Sequence, residues 1–203
     1  MLLEIIEKIA DEIINNKEYL TELDRVIGDG DHGVNLARGF EEIKVQLPTY
    51  SSLSYSDIFQ KMGMALLTKV GGASGAIYGT AFMSAAMYCK GKTELEKEDL
   101  VAILKTMIEG IQKRGKATLG EKTLLDTILP VYDFLQKKLE GGEDIFSTPE
   151  EIQKIAEKGM ESTKDIIATK GRASYVGERS LGHIDPGAAS SYLMIKVLCE
   201  TIK

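Results

Sequence analysis

The sequence predicts an all-α protein with a single domain. Apolar residues recur at helical spacing in nearly every segment, and the strict alternation that is typical of strands is almost absent. The chain has 203 residues, of which 43% are hydrophobic and 28% charged, as expected of one globular domain with a sizeable core. No internal repeat, low-complexity tract or linker divides it. We therefore expect one domain, residues 1–203, built from eight helices.

The first four helices are predicted from apolar faces that repeat every three to four residues. The first covers about 2–20, and the second stops before Pro48, which lacks a backbone donor. Ser56 or Asp57 opens the third, because short polar side chains cap helix N-termini. The fourth, about 74–90, is rich in Gly, Ala and Met. The apolar positions on these faces include Leu2, Ile6, Ile9, Ile13, Leu36, Phe40, Ile43, Ile58, Met62, Ala65 and Leu66.

The last four helices carry clearer start signals. Asp99 opens the fifth, and a kink is expected at Pro130 in the sixth. Thr148 to Glu151 reads as a capping box with proline at the first helical position, which begins the seventh helix. Asp185 followed by Pro186 opens the eighth. The apolar positions on these faces include Ile103, Met107, Ile111, Leu124, Leu125, Ile128, Tyr132, Leu135, Leu139, Leu193, Met194, Val197 and Leu198.

Charge and cysteine usage narrow the class of protein. A net charge of −6 and a pI near 5.1 argue against nucleic acid or an anionic membrane as the main partner. The N-terminus has no signal-peptide pattern, and no stretch approaches the ~20 apolar residues of a transmembrane helix. Cys89 and Cys199 lie in apolar helical stretches and are expected to be buried thiols. We expect a cytoplasmic protein.

Four connections between the helices contain most of the glycine and small polar residues. They span 28–33, 71–75, 115–123 and 171–187, and they alternate with connections that are merely polar. In an up-and-down array of helices, alternate connections lie at the same end of the molecule. We therefore expect these four to meet at one end and to form a ligand site there.

The acidic stretch around residue 30 is the first candidate site. Asp24, Asp29 and Asp31 lie within eight residues, and like charges this close repel each other. Mg²⁺ reverses the sign of that energy, because it prefers oxygen ligands and is often held by a few carboxylates together with substrate phosphates. Gly28 and Gly30 let the backbone turn so that the carboxylates can aim at one point. On these residues alone, a solvated acidic turn before a helix remains an equal alternative.

The second candidate is an anion site. Residues 71–75, GGASG, lead into a helix, whose N-terminus offers unpaired N–H groups and a partial positive charge. Ser74 adds a hydroxyl, and beside a magnesium site a phosphate would satisfy both loops. The alternative is a tight turn between packed helices.

Other residues could also contact an anion. Asp185 to Gly187 offers a second helix N-terminus, and Arg172 offers a guanidinium. His32 is expected to cap a helix or contact phosphate. Thr118 and Thr123 could line a base or phosphate, or cap the sixth helix.

Three better-known motifs are excluded by context. Residues 28–33 match GxGxxG, but no strand precedes them and no acid follows about twenty residues later. The same stretch lacks the glycine and the final glutamate of an EF-hand loop. Residues 115–123 resemble a P-loop, but Glu121 stands where a lysine is required.

Taken together, these segments resemble the ADP-binding L subunits of the bacterial dihydroxyacetone kinases. The resemblance covers essentially the whole chain and shows no departure at a motif position. The matching segments are Asp24 with Asp29 to Gly33, Gly71 to Gly75 with Tyr78 to Thr80, Arg114 to Ala117 with Gly120 to Leu124 and Asp126, Gly171 to Tyr175, and Asp185 to Ala188.

The resemblance implies an eight-helix antiparallel barrel with a nucleotide at one rim. It implies that Asp24, Asp29 and Asp31 hold two Mg²⁺ ions that bind the phosphates of ADP or ATP. It implies no catalytic residue in this chain, because the groups that bind the substrate lie on another subunit. The residues that it places around the nucleotide are His32, Gly33, Val34, Asn35, Ala73, Ser74, Gly115, Leu124, Arg172, Asp185, Pro186 and Gly187.

The resemblance also implies partners and a reaction. In one branch of the family, a separate subunit keeps ADP bound as a cofactor, and a phosphohistidine subunit of the phosphoenolpyruvate phosphotransferase system rephosphorylates it. The γ-phosphoryl then passes to dihydroxyacetone on a third, substrate-binding subunit. In the other branch, a longer chain uses free ATP. Because a chain from Met1 to Lys203 has no room for a substrate domain, the separate subunit is expected. The alternatives are the ATP-dependent branch and a non-catalytic helical regulatory module.

Overall fold

The computed structural model describes residues 1–202, and this part of the chain contains nine α-helices and no strand. The all-α prediction is therefore confirmed. The helices are α1 (Leu2–Asn15), α2 (Lys17–Ile27), α3 (His32–Gln46), α4 (Tyr55–Lys69), α5 (Gly72–Tyr88), α6 (Lys97–Gly115), α7 (Leu125–Glu140), α8 (Pro149–Ser162) and α9 (Pro186–Thr201). Short 3₁₀ segments cover Leu47–Tyr50, Ile145–Ser147, Thr163–Asp165 and Arg172–Ser180.

The helix predicted over 2–20 is in fact two helices. The chain breaks at Asn16, whose backbone leaves the helical region and whose side chain donates to the Glu12 carbonyl at 2.8 Å. α2 then continues to Ile27, so Asp24 lies on a helix and not in the acidic loop. The apolar period runs on through the break, and for this reason periodicity alone predicted a single helix ending at 20.

The helices close into a ring. From α3 to α9, each helix packs against the next along the chain, and α1 packs against both α9 and α3. α2 extends beyond α1 along the same two neighbours and also contacts the 3₁₀ segment Arg172–Ser180. Eight positions around the barrel are thus occupied, the first by the pair α1 and α2. Within the described residues, no helix has both the length and the apolar character needed to cross a membrane.

Capping residues and prolines mark the starts of several helices, although not always at the predicted positions. Ser54, and not Ser56 or Asp57 as predicted, caps α4 by accepting from the Asp57 N–H. A capping box does form, but at the start of α6, between Glu96 and Asp99. At the start of α8 the predicted box is absent, because the Thr148 hydroxyl is buried without a hydrogen-bond partner. α8 nevertheless begins at the proline, as predicted.

The core fills the barrel with the faces that the sequence predicted. Ile13, Leu36, Phe40, Ile43 and Leu66 are completely buried in one large cluster. Burying such side chains stabilises the fold by about 1.5–3 kcal/mol each. Cys89 and Cys199 lie in two separate apolar clusters, in agreement with the expectation of buried thiols. The core occupies the middle of the barrel and leaves one end for the site.

Candidate functional site

A cavity of about 500 Å³ lies at one end of the barrel. All four glycine-containing connections contribute to its wall, as the alternation of the connections predicted. The residues that line it are Asp24, Ile27, Asp29, Asp31, His32, Gly72, Ala73, Ser74, Ala76, Ile77, Tyr78, Ile111, Arg114, Gly115, Ala117, Lys122, Thr123, Leu124, Lys170, Gly171, Arg172, Ala173, Asp185, Pro186 and Gly187.

The three aspartates of the acidic stretch converge on one side of this cavity. One carboxylate oxygen from each of Asp24, Asp29 and Asp31 lies within 4.8 Å of the other two. Asp24 is buried, and its Oδ2 accepts the backbone N–H groups of Asp31 and His32 at 2.9 and 3.1 Å. These bonds wrap the loop around the Asp24 carboxylate. Burial and the neighbouring Asp29 raise the pKa of Asp31 above its ordinary value.

Two glycines make this arrangement possible. A Cβ at Gly28 would lie 2.0 Å from Asp24 Oδ1, so only glycine leaves room for that carboxylate. Gly30 has φ +72°, in the left-handed region that other residues avoid. The loop between α2 and α3 therefore depends on both residues.

The cavity is also surrounded by helix N-termini. In this up-and-down barrel, α3, α5, α7 and α9 all begin at the site end, and each contributes a residue near its first turn to the wall. The first N–H groups of a helix lack intrahelical partners and carry a partial positive charge, so these ends favour an anion. Gly72, with φ +67° and open space around its Cα, lets the start of α5 border the cavity without a side chain.

Arg172 places a positive charge beside the acids. Its Nη2 lies 3.0 Å from Asp29 Oδ2. The 3₁₀ segment that carries it is held against α2 by a small apolar cluster of Ile27, Ala168 and Ala173. The guanidinium is thus positioned between the carboxylate loop and the rest of the cavity.

The His32 side chain is hydrogen-bonded within the barrel. Its Nε2 lies 3.0 Å from Ser190 Oγ, inside the barrel, and burial lowers the pKa of His32 to about 4. The neutral ring joins a buried network in which the Tyr78 hydroxyl lies 2.8 Å from Ser190 Oγ and 2.9 Å from Ser191 Oγ. The ring bonds to Ser190 and does not cap a helix; because His32 also lines the cavity, a contact of this residue with phosphate stays a prediction.

Most of the predicted nucleotide residues meet at this wall, and three do not. Those brought together are His32, Ala73, Ser74, Gly115, Leu124, Arg172, Asp185, Pro186 and Gly187. Gly33 packs against α2, where an added Cβ would lie 2.0 Å from the Lys17 carbonyl. Val34 and Asn35 also lie outside the wall. Of the two threonines considered, Thr123 lines the cavity, whereas Thr118 is exposed outside it.

Sequence reasoning missed two features of the site. Lys122 is only 1% exposed, although lysine is usually a surface residue and no local pattern marks this one as buried. The apolar part of the wall combines Leu124, which the resemblance placed at the nucleotide, with Ile77 and Ile111, which were not predicted to border a cavity. Ile77 and Ile111 lie on helices whose period predicts burial but not which buried residues border a cavity.

The fold and the cavity define a class: an all-α barrel whose open end combines a cluster of carboxylates with several helix N-termini. Such an end suits a divalent cation together with a phosphate-bearing ligand. The sequence model of the DAK2 domain matches residues 26–200. The chain belongs to the DAK2-domain family.

The relatives at higher identity are bacterial kinase subunits. The chain is 42% identical to the ADP-binding subunit DhaL of PEP-dependent dihydroxyacetone kinase 1 from Listeria innocua, over 95% of this chain and 91% of the relative. It is 41% identical to the ADP-binding subunit DhaL of the PEP-dependent dihydroxyacetone kinase of Escherichia coli, over 96% and 92%. Human triokinase/FMN cyclase is 32% identical, and the alignment covers 98% of this chain but only 34% of that longer protein.

A solved structure shows the same fold. The crystal structure of the dihydroxyacetone kinase of C. freundii superposes with a TM-score of 0.76 at 23% identity, over 98% of this chain and 34% of the other. This similarity agrees with the helical barrel described above.

Proposed function

We propose that residues 1–203 form the nucleotide-binding subunit of a dihydroxyacetone kinase, with Mg-ADP held as a cofactor. In this proposal, a phosphohistidine subunit of the phosphotransferase system phosphorylates the ADP. The γ-phosphoryl then passes to dihydroxyacetone on a substrate-binding subunit, giving dihydroxyacetone phosphate. The observation that carries the proposal is the convergence of three carboxylates and four helix N-termini on one cavity.

The donor set fits magnesium. Mg²⁺ binds oxygen at about 2.1 Å, which places its ligand oxygens about 3–4 Å apart. The three carboxylate oxygens lie within 4.8 Å of one another, so small rotations would bring them to one ion or to two neighbouring ions. We propose Asp24, Asp29 and Asp31 as the ligands of two Mg²⁺ ions. Bound there, the ions would neutralise charge on the phosphate oxygens during transfer.

The remaining wall supplies the contacts for a nucleotide. The N–H groups of Ala73 and Ser74, in the first turn of α5, would receive phosphate oxygens, and the Arg172 guanidinium would pair with them. The apolar patch of Ile77, Ile111 and Leu124 offers a surface for the flat base. We propose that the nucleotide is bound by His32, Ala73, Ser74, Gly115, Leu124, Arg172, Asp185, Pro186 and Gly187 at the wall. Gly33, Val34 and Asn35 would act through the position of α3.

No residue of the cavity is proposed as a general base. Burial lowers the pKa of His32 to about 4 and raises the pKa of Tyr78 to about 12, so neither is suited to exchange protons near neutral pH. Phosphoryl transfer depends mainly on positioning and on charge stabilisation, which this wall can supply. The residues of this chain would orient the phosphates and exclude water, and the acceptor would come from the partner subunit.

The phosphohistidine donor is preferred over free ATP because of the relatives. The chain is 41–42% identical to subunits named as PEP-dependent, and 32% identical to the longer triokinase/FMN cyclase. An ATP-dependent kinase domain is the second candidate for the donor. A non-catalytic regulatory module would bind the nucleotide and the partners without transferring phosphoryl groups.

The experiment is nucleotide analysis of the purified protein, followed by calorimetric titration of ADP with Mg²⁺ or with a chelator. We expect bound ADP that acid or chelator releases. Asp29→Ala should abolish nucleotide retention while the helical circular dichroism signal persists, and the exposed Asp133→Ala provides a control with the same charge change. Full kinase turnover by a nucleotide-free protein would contradict the proposal, and retained ADP without any phosphoryl transfer between subunits would favour the regulatory module.

A further inference from the structure

Lys122 is a buried lysine in an unusual backbone conformation. Lys122 is 1% exposed, and its φ is +61°, in the left-handed region. Both features cost free energy, because a charged side chain loses hydration and a residue with a Cβ is disfavoured at positive φ. A glycine at this position would avoid both costs.

The ammonium group joins two other segments of the chain. Lys122 Nζ donates to the backbone carbonyl of Thr163 at the end of α8 and to the backbone carbonyl of His183 before α9. The charged groups that face it are the carboxylates of Asp126, Asp165 and Asp185. One side chain from the α6–α7 connection is therefore anchored 41 and 61 residues further along the sequence.

Both anchored segments lead directly into the cavity wall. Thr163 Oγ1 accepts the Asp185 N–H at 3.0 Å, and Asp185 Oδ2 accepts the Ala188 N–H at 2.8 Å, which caps α9. On the other side of Lys122, Asp126 accepts the Gly120 and Thr123 N–H groups at 2.5 and 2.8 Å. The starts of α7 and α9 are thus connected through Lys122.

Stability alone does not account for this arrangement. Replacing a buried ion pair by apolar atoms of similar volume is often neutral or stabilising, and in some proteins a buried polar group serves instead to select one geometry. The geometry that this ammonium selects is the spacing between Leu124 at the start of α7 and Asp185 to Gly187 at the start of α9, all of which border the cavity.

We propose that Lys122 is a positioning residue, whose buried ammonium holds the starts of α7 and α9 at the spacing that a nucleoside diphosphate requires. It acts through the backbone of Thr163 and His183 and not by touching the phosphates. The inference rests on the proposed function for the identity of the ligand. At metal sites, loss of a group that orients a ligand typically costs about 10- to 100-fold in affinity, and we expect a loss of that order here.

The test compares Lys122→Met, Lys122→Arg and wild type by calorimetric titration with ADP and Mg²⁺. Methionine has nearly the length of lysine but donates nothing, so we expect the ADP dissociation constant to rise at least ~10-fold. Arginine keeps two or more donors and should recover part of that loss. Lys158→Met, at an exposed position on α8, is the matched control and should bind as wild type does.

Hydrogen exchange supplies a readout that does not depend on ADP. In Lys122→Met without nucleotide, the amides of Asp185 and of residues 187–189 should exchange faster, while those of the distant α4 keep their protection. A lowered melting temperature with unchanged ADP affinity and unchanged exchange at 185–189 would overturn the inference and leave Lys122 a purely structural residue. If Lys122→Met does not fold, Lys122→Gln replaces it: its shorter, neutral amide should raise the ADP dissociation constant and speed exchange at the start of α9, and no change in either would overturn the inference. If wild type binds no ADP, the proposed function fails, and the exchange measurement still decides whether Lys122 positions this wall.

Discussion

Arg172 and Asp29 form an ion pair between two walls of the cavity, with 3.0 Å between Nη2 and Oδ2. The side chains are 59% and 38% exposed, so the pair contributes little to stability. Its importance lies in placement: the same guanidinium that meets a proposed metal ligand also faces the space proposed for the phosphates.

Replacement of Arg172 by Gln should weaken nucleotide binding without destabilising the fold. A charge-assisted hydrogen bond contributes about 1.5–3 kcal/mol, so the ADP dissociation constant should rise by about 10-fold or more. Arg172→Lys should recover only part of the affinity, because lysine keeps the charge but lacks the planar pair of donors. Calorimetric titration measures both. Arg179→Gln, in the same segment but outside the cavity wall, is the control, and equal affinities for the two glutamine variants would argue against the role of Arg172.

Gly33→Ala should destabilise the protein strongly. The added Cβ would lie 2.0 Å from the Lys17 carbonyl and 2.5 Å from Thr21 Oγ1, so α3 would have to move away from α2. Overpacking of this kind typically costs about 1–3 kcal/mol, and the shift would also disturb the hydrogen bond of the His32 N–H to Asp24. Chemical unfolding gives the change in the free energy of unfolding.

Gly115→Ala is the comparison for that experiment. Its added Cβ would meet only the flexible end of the Ile77 side chain, at 3.1 Å, so the free energy of unfolding should change by less than about 1 kcal/mol. If both alanine variants were equally stable, the close approach of α2 and α3 would not be essential.

Tyr78→Phe should also lower stability, through a different cause. The Tyr78 hydroxyl is buried and lies within hydrogen-bond distance of Ser190, Ser191 and the Gly187 carbonyl. Loss of these bonds leaves buried polar groups with fewer partners, at a cost of about 1–3 kcal/mol. Thermal unfolding should show a clear drop, whereas Tyr175→Phe, at a position 85% exposed, should not differ from wild type. A stable Tyr78→Phe variant would show that the serines satisfy each other without the phenol.

Asp185 should make the stability of the protein depend on pH. Burial raises the pKa of Asp185 to about 7 in the folded state, above the usual value near 4, although Lys122 opposes the shift and Asp126 adds to it. Between about pH 4 and about pH 7 the folded state therefore holds more protons than the unfolded state, and the contribution of this group to stability falls as the pH rises.

Asp185→Asn removes this titration and keeps a residue that can cap α9. The free energy of unfolding of wild type, relative to that of the variant, should therefore decrease from about pH 4 to about pH 7 and then level off. Denaturant titrations at several pH values measure this difference. A constant difference across the range would show that Asp185 is ionised throughout.

Much of this architecture could be read from local sequence. The period of apolar residues predicted which faces are buried, and caps and prolines predicted where most helices begin. The alternation of glycine-containing connections predicted that four of them meet at one end, and they do. Asp24, Asp29 and Asp31 were predicted to converge, and three of their oxygens lie within 4.8 Å of one another.

Other features could not be predicted, because their partners are remote or their signals are weak. The break at Asn16 depends on one side chain bonding to a carbonyl four residues earlier, within an apolar period that does not change. Thr148 stands in a capping pattern, but its buried hydroxyl makes no cap hydrogen bond. His32 turns inward because Ser190, 158 residues later, lies within hydrogen-bond distance.

The sequence by itself determined the helical period, the turns and which side chains could bind a metal or an anion. The period and the turns depend on neighbours within about four residues along the chain. Only the tertiary structure decided which of those side chains lie together. It buried Lys122 against two carbonyls, paired Arg172 with Asp29 and placed the His32 ring beside Ser190. The physical reason is that a polar group taken out of water must find a partner, and only the packing of the helices determines which partner is within reach.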